Sequence, residues 1–212
     1  MNTFILDFET TGLNPYHNEI IEIAIKKYNE DKIYTELVKP KLIGGRYVTD
    51  RIIQITNITN QDIDEKGITQ IQGCLNLFNF IKENSQPELP IYIIAHNGTT
   101  FDFPYLMMLV RRYKEYCLDN NISVIDLLDI YNRFIYIDTL LLSRFLFPDR
   151  RYYSQKSLCI TYGIPQNDAH RAYGDVNDLE KVYYGMLHQY FQKNKIDIKF
   201  MNDSNFVYNL FN

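Results

Sequence analysis

Asp7 and Glu9 stand two residues apart in FILDFETTGL. Along an extended strand side chains alternate, so this spacing puts both on one face, roughly 7 Å apart at Cα. Two carboxylates side by side repel each other unless a cation joins them, and hard cations such as Mg²⁺ take oxygen ligands. A solvent-facing acidic pair at a strand edge is the plainer alternative. Against it, Phe4, Ile5, Leu6 and Phe8 mark a buried central strand, where unpaired charge is costly. Asp102, in AHNGTTFDFPYL, stands where a helix begins; taken alone it reads as an N-cap or a first-turn partner of the helix dipole. Asp175 opens a long helix and shares its face with Leu179, Val182 and Met186, the stripe that should meet a sheet. The dipole accounts for its place along that helix but not for its facing. His170, five residues earlier in DAHRAYGDV, reads as a surface loop histidine or, with its near-neutral pKa, as a general base. No one of these positions decides the chemistry; their joint occurrence in this order does.

The elements that must position these groups follow from hydrophobic pattern. Apolar runs at 3–8, 20–28, 32–39, 91–95 and 134–138 read as strands, the second and third joined by a hairpin at Asn29-Glu30-Asp31. A linker with Pro40 and Gly44-Gly45 leads to a short helical stretch around 49–55. Helical spacing is expected over 68–83, with Ile68, Ile71, Leu75, Phe78 and Ile81 on one face, and over 103–117, 139–147, 154–162 and 172–192. This order predicts an α/β fold: a mixed central five-stranded sheet, its first three strands antiparallel, flanked by helices. Ligands of such sheets bind beyond the carboxyl ends of the strands, where Asp7 and Glu9 end the first and His96-Asn97 end the fourth.

The 212 residues suit one domain, with a core over about 3–192 and an aromatic tail over 193–212 that carries Phe200, Phe206, Tyr208 and Phe211. That tail would dock a partner or pack on its own domain. No apolar stretch reaches the ~20 residues of a membrane span, and the opening MNTFILDFETTG lacks the basic start of a signal peptide. Cys74, Cys117 and Cys159 show no zinc spacing and read as buried thiols of a reducing compartment, so the chain is expected to be soluble and intracellular. Net charge is −4, not the basic balance of a typical nucleic-acid binder. Four metal carboxylates would account for that charge, and two divalent cations would cancel it.

FILDFETTGL, IIAHNGTTFDFPYL and AHRAYGDV, in this order over residues 4–182, resemble the DEDDh exonucleases of the DnaQ-like superfamily. Within it, AHNG, DFPYL and AHRAYGDV look nearest to the three-prime repair exonucleases, although these often carry Arg where Thr100 stands. The resemblance implies a ribonuclease H-like three-layer fold and a 3′→5′ exonuclease that releases nucleoside 5′-monophosphates. It implies two Mg²⁺ or Mn²⁺ ions on Asp7, Glu9, Asp102 and Asp175, with Asp7 bridging both ions, Glu9 and Asp175 on the nucleophile side and Asp102 mainly on the other. His170 would take the proton of the attacking water; the sister group places Tyr where Arg171 stands, which indicates the histidine type. Thr10 and Leu13 match positions that bind and wedge the 3′-terminal nucleotide, Ile55 matches one that packs on the terminal base, and His96 and Asn97, at the end of the fourth strand, are expected to contact the nucleic acid as well. Arg111, Arg112, Arg150, Arg151 and Lys156 are candidate phosphate contacts or ordinary solvated charge. The resemblance implies a nucleic-acid partner with a 3′ end, DNA favoured over RNA; a homodimer is a family option that no residue marks. An exoribonuclease, a polymerase proofreading subunit and a non-catalytic binding module stand as alternatives. Residues 117–133 match nothing in the family and look like an insertion.

Overall fold

The computed structural model describes residues 2–165 and 171–211. β1 (Thr3–Thr10) runs antiparallel to β2 (Ile20–Lys27), which pairs antiparallel with β3 (Ile33–Lys39). The chain continues through α1 (Asp50–Thr56), α2 (Asn60–Lys66), the two-residue β4 (Ile68–Thr69) and α3 (Gln70–Glu83). β5 (Ile91–Ala95), α4 (Asp102–Asp119), α5 (Ile125–Tyr131) and β6 (Phe134–Asp138) follow. α6 (Thr139–Leu146), α7 (Gln155–Tyr162), α8 (Ala172–Lys193), a 3₁₀ turn (Ile198–Asn202) and α9 (Ser204–Phe211) complete it.

The sheet order is β4-β3-β2-β1-β5-β6, with β5 parallel to β1 and to β6. The expected five strands with an antiparallel first three are all present, and among the described residues β4 adds a sixth. It takes Ile68 and Thr69, which helical spacing assigns to the start of a helix over 68–83; Thr69 instead caps α3, which begins at Gln70, its side chain accepting from the Gln72 amide.

β1 explains the layering. Phe4, Leu6 and Phe8 enter one core with Leu77 and Phe78 of α3 and Leu106 and Leu109 of α4. Ile5 enters the other, with Val176, Leu179, Val182 and Met186 of α8. Continuing that second face by twos gives Asp7 and Glu9, so the alternation that buries Ile5 also sends both carboxylates under the start of α8. On β2 the same face carries Glu22, Ala24 and Lys26, through the registers Glu9↔Glu22 and Asp7↔Ala24. Residues 117–133, which looked like an insertion, finish α4 and form α5, whose Leu127 and Ile130 are part of the first core. The tail packs on its own domain: Met201 and Val207 are buried, and Phe206 meets Phe191 and Phe200 at ring-centroid distances of 6.2 and 4.7 Å. All three cysteines are buried free thiols. Among the described residues no helix is long and apolar enough to cross a membrane.

Candidate active site

Three sequence-distant segments meet at the carboxyl end of β1. Asp7, Glu9 and Asp175 each offer a carboxylate oxygen, and these oxygens lie within 4.8 Å of one another. Asp102 is buried beside them rather than within that trio: its Oδ1 accepts a hydrogen bond from the Phe8 backbone amide at 3.1 Å, between Asp7 and Glu9. Burial is the first cause that pushes the Asp7 carboxyl well above the ordinary range, and repulsion from Asp102, Asp175, Glu9 and Glu22 adds to it. Glu9 is raised to about 8 by burial, then by Asp175, Glu22 and Asp102. Asp102 is also raised to about 8, by burial first, against the lowering effect of its backbone hydrogen bonds. Asp7, Glu9 and Asp102, held this close to one another and to Asp175, do not all carry full negative charge without a counter-charge. An all-oxygen donor set of this kind suits a hard divalent cation.

The turn before α4 sets Asp102. Asn97 takes the left-handed conformation (φ 59°). A Cβ on Gly98 would meet the Phe103 ring at 2.5 Å and the Ala95 Cβ at 2.8 Å, so glycine alone fits there. The Asp138 carboxylate, at the end of β6, accepts from the backbone amides of Asn97 (3.1 Å), Thr99 (2.9 Å) and Leu140 (2.9 Å), tying the turn to the start of α6. His96 and Asn97 are used inside this turn: His96 Nδ1 lies 2.9 Å from Thr139 Oγ1, and Asn97 Oδ1 accepts from the Thr100 hydroxyl at 2.8 Å.

Glu9, Thr10, Leu13, Ile55 and Phe101 line one cavity of about 390 Å³. Leu13 is 84% exposed at its rim and Ile55 43% exposed on its α1 wall, and the Thr10 hydroxyl donates to the Gly12 carbonyl. Thr10, Leu13 and Ile55 thus come together beside the carboxylates. His96 and Asn97 are not among its lining residues. His170 falls outside the described residues.

Sequence reading missed the groups that seat Asp175. Glu22 is buried, and its carboxylate accepts from Arg171 Nη2 at 2.7 Å, from Arg171 Nε at 3.2 Å and from the Ala172 amide at 2.9 Å. Arg171 precedes the first turn of α8 and offers it no side-chain cap, so Glu22 caps that helix from across the sheet. Gln155 Nε2, from α7, donates to the Asp175 carbonyl at 2.9 Å and to its Oδ1 at 3.3 Å. A carboxylate between Ile21 and Ile23 in the apolar first half of β2 was the available signal for Glu22; nothing local marked Gln155.

The sheet order and the three layers define a ribonuclease H-like fold with an acidic cluster at the carboxyl end of its first strand. Residues 4–183 match the exonuclease family model RNase_T, and the chain belongs to this family of DnaQ-like, DEDDh-type exonucleases. Among curated relatives, it is 31% identical over 182 residues to the PolC-type DNA polymerase III of Thermotoga petrophila, covering 84% of this chain and 11% of that protein. It is 28% identical over 213 residues to the chloroplastic/mitochondrial exonuclease DPD1 of Arabidopsis thaliana, covering 94% and 58%. The chain therefore spans about a tenth of the PolC-type proteins it matches. Among solved structures, the nuclease domain of 3'hExo, a DEDDh family member bound to rAMP, superposes with a TM-score of 0.66 at 18% identity, covering 88% of this chain and 92% of that one. E. coli exonuclease I in complex with a dT13 oligonucleotide gives 0.67 at 17% identity, covering 97% and 42%. These two share the fold.

Proposed function

We propose that the chain is a metal-dependent 3′→5′ exonuclease that hydrolyses DNA from single-stranded or frayed 3′ ends and releases nucleoside 5′-monophosphates. The observation that carries this reading is the trio Asp7, Glu9 and Asp175 directly beside the cavity of Thr10, Leu13 and Ile55. Asp7, Glu9 and Asp175 would hold one divalent cation, Mg²⁺ or Mn²⁺, and Asp102 together with Asp7 a second. When bound, such ions supply charge stabilisation for the attacking and leaving oxygens and acidify a water. The protein's own part is to place and protect. Leu13 and Ile55 form apolar walls against which a terminal base can lie, and Thr10 frames the cavity floor next to Glu9. Selectivity for a chain end would come from a cavity floor that leaves no room for a continuing strand. His170, immediately before the Arg171 that Glu22 holds, is the proton acceptor for the attacking water. Residues 1–212 act as a single catalytic unit in this reading.

Incubation with Mg²⁺ and matched 5′-labelled single-stranded DNA and RNA tests it directly. Wild type should shorten DNA one nucleotide at a time from the 3′ end, chelator should silence it, and Asp175→Ala should abolish the ladder with the fold intact by circular dichroism. His170→Ala should slow cleavage by ~10²–10⁴-fold, the usual worth of a general base. Wild-type rates from either variant, or activity that survives chelator, would sink the scheme. A faster ladder on RNA would reassign the substrate.

A further inference from the structure

The stretch from Arg144 to Lys156 reverses the sign of a chain whose net charge is −4: it carries Arg144, Arg150, Arg151 and Lys156 against the single acid Asp149. Its aromatic residues divide by role. Tyr153 is a strut, its hydroxyl donating to the carbonyls of Phe147 (2.7 Å) and Pro148 (3.1 Å), with the Arg144 guanidinium 5.8 Å from its ring. Arg150 is also spent inside the loop, where Nε donates to the Tyr152 carbonyl at 3.2 Å and Nη2 to the Ser157 carbonyl at 3.4 Å. These bonds leave Tyr152 turned outward, 60% exposed, with the Arg151 guanidinium 5.2 Å from its ring centroid. Lys156 is exposed on the first turn of α7.

This platform is tied to the catalytic end of the sheet at two points. The Tyr153 backbone lies near enough to the His96 ring to favour its charged form. Gln155 holds the carbonyl and carboxylate of Asp175. The Tyr152 Cα therefore lies within the ~10 Å that three residues can span of the Cα of Gln155, whose side chain touches the acidic trio.

We propose that Tyr152, Arg151 and Lys156 form the track for the single DNA strand that leads into the cavity, one base stacking on Tyr152 and the cations meeting its phosphates. An outward aromatic plane flanked by cations fits a strand whose bases are free to stack, and a paired duplex offers no such face. The inference rests on the exonuclease reading and names how that site grips its substrate.

Anisotropy titration of the full chain with a 5′-labelled oligothymidylate, in chelator so that no cleavage occurs, reads the track by itself. Tyr152→Ala should weaken binding about tenfold, the usual worth of one stacked base. Tyr152→Phe should bind like wild type, because the plane is kept. The double variant Arg151→Ala/Lys156→Ala should flatten the slope of log affinity against log salt by about 1.4, at ~0.7 for each phosphate contact to a single strand. A Tyr152→Ala affinity within about twofold of wild type, together with an unchanged salt slope in the double variant, would overturn the track. Equal losses on blunt duplex would overturn its single-strand character, and losses confined to oligouridylate would overturn the DNA assignment. If wild type grips the strand through Tyr152 but cuts nothing with Mg²⁺ present, the exonuclease reading falls and the track stands.

Discussion

Glu9 and Asp102, each raised to about 8, make the metal-free site a weak point in the fold above neutral pH. An unfolded Glu or Asp titrates near ~4, so between about pH 4 and 8 the folded protein binds more protons than the unfolded chain. Stability then falls as pH rises through this window, the opposite sign to a salt-bridged carboxylate. In chelator the melting temperature should drop from about pH 5 to about pH 8, and Glu9→Gln should remove much of that drop. Adding Mn²⁺ at the upper pH should restore what wild type lost. A melting temperature flat across the window in wild type would show that these carboxyl groups are already balanced. At this scale the sequence was informative where chemistry is local. Asp7 and Glu9 share a face by strand alternation, and Thr10, Leu13 and Ile55 do line one cavity. Glu22 was missed because its partner lies 149 residues away, and no spacing rule joins the two.

α8 is the element on which the site depends, and it is fastened to β2 at two places on one face. Glu22 holds Arg171 and the helix start, and Lys26 bonds Glu180 at 2.6 Å and Asn177 at 3.0 Å farther along. Val176 of the apolar stripe packs between these ties, and Leu179 and Val182 continue it alongside and past the second. Arg171→Ala frees the start of the helix and leaves Glu22 buried without its fork. Mn²⁺ affinity measured by titration calorimetry should fall ~10–100-fold, the range typical for partners that orient metal ligands. Arg171→Lys should recover part of it. Unchanged affinity in the alanine variant would mean that the apolar stripe alone seats Asp175. Long periodic segments such as α3, α4 and α8 were readable because their buried faces repeat at helical spacing. α2 and α5 are held by context that no spacing shows: a Thr59–Asp62 capping box for one, Leu127 and Ile130 in the core for the other.

The whole molecule closes on itself through its tail. Met201 and Val207 enter the core beneath α8, and Thr3 on β1 shares a 2.7 Å hydrogen bond with Ser204. Met201→Ala should therefore cost about 2–5 kcal/mol, as a buried methionine does elsewhere, read as a shift of the urea midpoint; a surface-like loss under about 0.5 kcal/mol would mean that the tail is not part of the stable unit. Whether the tail served its own domain or a partner could not be read from its aromatics, because either role needs the same apolar face. The order of assembly gives the acidic trio one more property. Asp7 and Glu9 emerge first from the ribosome, but their third carboxylate arrives with α8, after both parallel strand pairs have had to close over long stretches of chain, a slow kind of contact to make. A half-synthesised chain thus holds Asp7, Glu9 and Asp102 but not Asp175, and the proposed activity switches on only once the late helix lands. On the proposed reading, a chain that has not yet folded α8 cannot cut the nucleic acid around it.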